Sequence, residues 1–171
     1  MPAPHPIEQT GLVTPAIRLL QAAGVDFEIH EYDRGDELRD FGREAADALG
    51  LPFEQVFKTL LLDVEGGDAP ADPIVVVVPV SCMVSMKLAA AAVGSKKAAM
   101  CDPERAERIT GYVVGGISPL GQPKRLRTVL DETVELFDLI YVSGGRRGLD
   151  IAVSPADLAR LLDAIIAPIT A

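Results

Sequence analysis

Lys58 stands in Phe57-Lys58-Thr59-Leu60, an otherwise apolar run of strand character. A charge there is costly unless it is paired, neutralised or turned toward a cleft. Strand alternation leaves two readings open: Lys58 faces solvent with Phe57 inward, or it faces a cavity. A second stretch, Gly111-Tyr112-Val113-Val114-Gly115-Gly116-Ile117-Ser118-Pro119-Leu120-Gly121, carries glycines that let main-chain amides approach a ligand closely. Amides directed into a cleft make an oxyanion or phosphate site. Without a cleft the same residues are a tight turn between strands, and the P-loop lysine and threonine are missing. A third stretch, Val142-Ser143-Gly144-Gly145-Arg146-Arg147-Gly148-Leu149-Asp150, joins glycines and two arginines to an aspartate entering a strand. It reads either as a clamp for phosphate or ribose or as a solvated basic hairpin turn. Lys124, Arg125 and Arg127 add a second basic patch, which Lys96 and Lys97 extend.

Other chemistries find little support in the residue pattern. The histidines are His5, near the start, and His30, in a predicted strand, and neither belongs to a nucleophile elbow or an H-E-x-x-H helix. His30 reads as a partly buried structural residue. Cys82 and Cys101 have no histidine near them in sequence, so neither a zinc set nor a disulfide framework is expected. Both read as small buried hydrophobes rather than nucleophiles. Tyr32 ends a predicted strand, where its hydroxyl can meet a ligand or simply stay wet while the ring packs. No metal and no organic cofactor is expected.

The elements that must position these residues follow from caps and periodicity. Thr14-Pro15 predicts a helix start and Gly24 its stop, followed by a strand over Val25 to Tyr32. Arg34 to Arg39 is a charged connection, and Phe41 to Leu49 a helix halted at Gly50-Leu51-Pro52. Strands are expected at Val56 to Val64 and at Ile74 to Val80, the second apolar on both faces and therefore central, with the loop Glu65 to Pro73 between them. Ser85 and Asp102-Pro103 open helices ending near Gly94 and Gly111. Gly115-Gly116 and Gly144-Gly145 mark two loops, with strands at Arg127 to Leu130, Leu139 to Val142 and Leu149 to Val153. Ser154-Pro155 caps a last helix running to Ile165. The irregular alternation favours an α+β fold, a mixed sheet with helices around it, over a doubly wound parallel sheet.

The chain has 171 residues, 49% hydrophobic and 24% charged, which suits one domain over 14–171 behind a flexible N-terminal tail over 1–13. That tail lacks the basic start and apolar run of a secretory signal, and a reducing, cytoplasmic setting is expected. Ile74 to Gly94 is long enough to cross a bilayer, but Pro79, Ser81, Ser85 and Lys87 interrupt it, so it reads as a strand and a helix with no membrane partner. A net charge of −9 argues against coating nucleic acid nonspecifically, so any RNA contact is local.

Three segments in order, Phe57-Lys58-Thr59-Leu60, Gly111 through Gly121 and Tyr141-Val142-Ser143-Gly144-Gly145, resemble the YbaK/EbsC family of Cys-tRNA(Pro) deacylases over about Thr14 to Leu162. The resemblance implies a single domain like the editing insertion of prolyl-tRNA synthetases, a mixed and partly barrel-like sheet among helices. It implies hydrolysis in trans of a mischarged aminoacyl ester, cysteine on proline tRNA first. The family's lysine and G-x-x-x-P loop fall on Lys58 and on Gly115 to Pro119, with Gly115 and Gly116 as oxyanion donors. Tyr32, Phe57, Ile117, Ser118, Pro119, Gly144 and Asp150 become substrate-binding candidates, and Lys124, Arg125, Arg146 and Arg147 tRNA-binding ones. The implied partners are the tRNA(Pro) acceptor end and prolyl-tRNA synthetase. Deacylation of Ala-tRNA(Pro) or another small mischarged residue is the nearest alternative, and a noncatalytic tRNA- or synthetase-binding module is a second.

Overall fold

The computed structural model describes residues 13–33 and 41–171. His5, the charged connection Arg34 to Arg39 and all of the expected tail but Val13 lie outside the described residues. Helix α1 (Pro15–Ala23) forms where Thr14 accepts the Ile17 N–H in its hydroxyl and Gly24, at φ 68°, ends the helix. It buries Ala16, Ile17 and Leu20. Then come β1 (Phe27–Glu31), α2 (Phe41–Leu49), a 3-10 turn at Phe53–Gln55, and β2 (Phe57–Glu65). β3 (Ile74–Pro79), α3 (Met86–Ala92), β4 (Lys97–Met100) and α4 (Pro103–Thr110) follow, then β5 (Thr128–Asp131), β6 (Ile140–Arg146), β7 (Leu149–Val153), α5 (Pro155–Leu162) and β8 (Ile165–Ala167). Ser85, Asp102 and Ser154 cap α3, α4 and α5 with side-chain oxygens.

The strands divide into two sheets rather than one. β1-β7-β6 is antiparallel throughout, while β4-β2-β3-β5-β8 is mixed, with β3–β5 and β5–β8 parallel. Among the described residues an isolated parallel bridge, Val56 to Tyr141, ties the residue just before β2 to β6. Every residue of β3 is buried, and β3 is central in its sheet, as its unbroken apolar run requires. The main core lies between the sheets and under α1, α4 and α5, and a second cluster packs α3 against the far face of β3.

Three expected boundaries move. The last helix stops at Leu162, because Asp163 turns left-handed at φ 49°, and Ile165–Ala167 pairs with β5 as a strand instead of continuing the helix. Lys97 belongs to β4, an edge strand paired with β2, where only a basic patch was expected. Gly144 and Gly145 lie inside β6 at a register shift between Ser143 and Arg146, and the turn itself falls at Arg147-Gly148. Among the described residues no helix is long and apolar enough to cross a membrane.

Candidate active site

Beyond the Val56–Tyr141 bridge, β2 and β6 separate, and a cavity of about 300 Å³ opens between them. Its floor is Val56 and the first half of β2, Phe57 to Leu61, roughly 17 Å of extended chain. At one end stand Ser143 and Asp150 of the three-stranded sheet and Tyr32, the residue after β1, beside Ala45 of α2. At the other end the walls are Cys101, Pro103 and Ala106, and the glycine loop closes one side with Val114, Gly115 and Ile117. Lys58, Tyr32, Phe57, Gly115, Ile117 and Asp150, six residues singled out from sequence, therefore line one hollow.

The others do not line it. Gly116 donates its N–H to the Val113 C=O at 2.8 Å, so that amide closes the turn instead of facing a ligand. A Cβ on Gly116 would meet the Arg146 main chain at 2.8 Å, so the residue keeps the loop pressed onto the β6–β7 turn. Ser118 is fully buried and accepts the Leu120 N–H. Pro119, Lys124 and Arg125 line a separate hollow with Leu162. Lys124 pairs there with Asp72, and Arg125 donates to the Leu161 C=O. Gly144 packs in the core against Leu149 and Ile151 and accepts the Thr14 hydroxyl proton. Arg146 lies 3.8 Å from Glu31, and Arg147 donates from Nε to the Val114 C=O at 2.8 Å. Arg147 thus ties the cavity's glycine loop to the β6–β7 turn.

The glycine loop is held from both ends. Tyr112 donates its hydroxyl to the Leu120 C=O at 2.7 Å, and burial pushes its pKa up to about 12, so the phenol stays protonated as a strut. Gly115 sits at φ 87°, a left-handed conformation that favours glycine.

Asp150 is the most perturbed acid of the site. It is 5% exposed, and burial raises its pKa to about 7. Among the described residues no cation pairs with it. His30 of β1 and Ser143 of β6 stand directly opposite it on the two neighbouring strands. In antiparallel register such residues share a face, so Ser143, Asp150 and His30 form a row. His30 itself packs edge-on to Tyr141, ring centres 5.3 Å apart, and does not line the cavity.

Sequence reasoning passed over Thr59, Leu61, Cys101, Ala106 and Ser143 as lining residues. Thr59 carried a signal: its hydroxyl oxygen is buried with no hydrogen-bond partner, a state that costs about 1–3 kcal/mol. Cys101 is buried, as expected, with its thiol pKa raised chiefly by desolvation. Arg105 donates to its sulfur at 3.6 Å and also bonds Asp63. A thiol held protonated in apolar surroundings is a poor nucleophile. Among the described residues the cavity thus offers a cation, main-chain groups and a buried carboxyl, with no nucleophile hydrogen-bonded to a base.

These features accord with what known proteins share with the chain. The family model for the aminoacyl-tRNA editing domain matches residues 37–161. An Enterococcus faecalis protein with the provisional name Cys-tRNA(Pro)/Cys-tRNA(Cys) deacylase EbsC is 31% identical over 163 residues, 95% of this chain and 96% of that protein. A solved structure described as a proposed trans-editing enzyme for prolyl-tRNA synthetase superposes with TM-score 0.76 at 22% identity, covering 93% of this chain and 99% of the other. A second, described only as a hypothetical protein, gives TM-score 0.79 at 22% identity over 92% of this chain and 100% of the other. The structural likenesses confirm the α+β fold. With most of its length matched both by the family model and by a relative of nearly equal size, the chain belongs to the YbaK-like aminoacyl-tRNA editing family, whose members are deacylases acting on aminoacyl-tRNA.

Proposed function

We propose that the protein hydrolyses Cys-tRNA(Pro) in trans, using the thiol of the substrate as its nucleophile. The observation that carries this reading is that one cavity gathers Lys58, Gly115, Tyr32 and Asp150, while Cys101, the thiol among the described residues that line it, is held protonated by burial. The bound cysteine's sulfur attacks its own ester carbonyl and forms a carbon–sulfur bond. The bond to the ribose oxygen then breaks, that oxygen takes up a proton, and a thiolactone leaves to be hydrolysed by water. Held in attack geometry, an intramolecular nucleophile gains about 7–11 kcal/mol from proximity, so a strong general base is not needed. Proline lacks a thiol and is spared.

Each residue then has a task. Lys58 holds the terminal phosphate or the ester region, and Gly115 supports the carbonyl oxygen as charge develops. Tyr32 and Asp150 orient the ribose or the substrate's ammonium group. Gly116 contributes by shaping the loop, since its amide is engaged by Val113. Docking with prolyl-tRNA synthetase supplies the choice of tRNA that so small a cavity cannot make. The test is deacylation of Cys-, Ala- and Pro-tRNA(Pro) side by side, with thiolactone trapped from the cysteine reaction. Turnover of Ala-tRNA(Pro) at or above the cysteine rate would overturn the thiol route, because alanine has no internal nucleophile.

A further inference from the structure

Among the described residues, one edge of β2 has no partner strand where it borders the cavity. The bridge to β6 occupies Val56, and pairing with β4 begins only at Leu62. On that edge the Leu61 C=O accepts the Cys101 N–H. Residues two and four places earlier, Thr59 and Phe57, turn their main-chain groups to the same side, and both line the cavity. The exposed sequence of groups is therefore an acceptor at Phe57, a donor and an acceptor at Thr59, and a donor at Leu61. Beside them lies the Thr59 hydroxyl, buried and without a partner. Leu60 and Leu61 project to opposite faces of the sheet, and both line the cavity.

Such an edge takes either another strand or a planar heterocycle with complementary polar atoms. A hollow of about 300 Å³ suits a nucleoside better than a peptide strand. Resting on the deacylase reading, the ligand that must enter is the 3′ end of a tRNA, whose last base is adenine. Its Watson–Crick edge sets an N6–H donor beside an N1 acceptor, the complement of a C=O followed by an N–H. We propose that the free edge of β2 reads this adenine: the Phe57 C=O accepts from N6–H, the Thr59 N–H donates to N1, and the Thr59 hydroxyl bonds the same nucleoside. Recognition by main chain identifies the terminal base common to all tRNAs and carries no tRNA identity. It also places the base on the floor of the cavity, leaving the glycine loop for the acyl group.

The proposal is tested by titrating the 15N-labelled full chain with adenosine, purine riboside (which lacks the amino group) and 1-deazaadenosine (which lacks N1). Adenosine is expected to shift the Thr59 and Leu61 amide signals saturably. Each altered nucleoside should bind about 3- to 10-fold more weakly, the loss from one buried hydrogen bond. Thr59→Val should weaken adenosine by a similar factor while Thr59→Ser restores it. Equal affinities for the three nucleosides, no binding, or shifts confined to residues away from Phe57 to Leu61 would overturn the proposal. Deacylation separates it from the reading beneath. Unimpaired turnover of a Cys-tRNA ending in purine riboside removes the base contact and leaves the deacylase intact. Absence of turnover on ordinary adenosine-ended tRNAs removes the deacylase itself.

Discussion

Two residues of the cavity respond differently to removal. Lys58 is partly exposed, and among the described residues no carboxylate pairs with it. Lys58→Ala should therefore leave thermal unfolding nearly unchanged while lowering deacylation by about 100-fold or more, the scale of losing one electrostatic contact in a preorganised site. Wild-type turnover in that variant would remove Lys58 from the mechanism. Asp150 couples to stability instead. Its pKa is raised from 3.8 to about 7, so between those values the folded chain holds a proton that the unfolded chain has lost. Stability then falls as pH rises from about 4 to 7 and levels off above, by about 4 kcal/mol in all. Asp150→Asn should melt higher than wild type at pH 8 and alike near pH 3.5, as calorimetry at the two pH values would show. An unchanged difference across that range would mean that Asp150 ionises freely in the fold. Lys58 and Asp150 were both visible in the sequence, one as a charge in an apolar strand and the other at the mouth of a strand after glycines. Thr59 and Cys101 were not, since a threonine or cysteine in a strand looks like packing until its polar atom is found buried at a cavity.

Loop and strand boundaries show where local pattern suffices and where it does not. Thr14, Ser85, Asp102 and Ser154 cap their helices through contacts three residues away, so their sequence signals translate directly into structure. Both β4 and β8 escaped because each exists only through pairing with a distant strand, Lys97 with Glu65 and Ile165 with Val129. The role of Gly144-Gly145 was misjudged for the same reason: a bulge in β6 is defined by its partner Leu149, not by its own residues. This long-range dependence also makes the glycine loop testable as an element. Gly116 has no left-handed φ, yet a Cβ there meets main chain of the β6–β7 turn at 2.8 Å. Gly116→Ala should push the loop away from that turn, costing about 1–3 kcal/mol and lowering kcat together with Tm. Arg147→Ala cuts the tie to the Val114 C=O from the other side. It should reduce kcat with a smaller loss of stability, read by steady-state deacylation and thermal melts. Activity unaffected in both variants would show that the loop's position does not matter to the reaction.

For the whole molecule, charge limits how RNA can be held. The chain carries −9 overall, and the basic residues expected to bind tRNA are dispersed and engaged. Lys124 is paired with Asp72, Arg146 lies beside Glu31, and Arg125 and Arg147 donate to main-chain oxygens. Among the described residues Lys58 is the cation that lines the cavity. Neutralising a phosphate on single-stranded RNA contributes a slope of about −0.7 to a plot of log affinity against log salt. An acceptor end gripped by one to three cations therefore predicts a slope between roughly −0.7 and −2 in kcat/KM for deacylation. Lys58→Ala should flatten binding of uncharged tRNA by about one such increment, whereas Lys124→Ala should leave the slope unchanged. A slope steeper than about −5 would require a long basic surface, and the cations named above are engaged one by one with acids and main-chain oxygens instead. The proposed docking with prolyl-tRNA synthetase offsets so small a grip, and adding the synthetase should then lower the apparent KM for Cys-tRNA(Pro) without altering kcat.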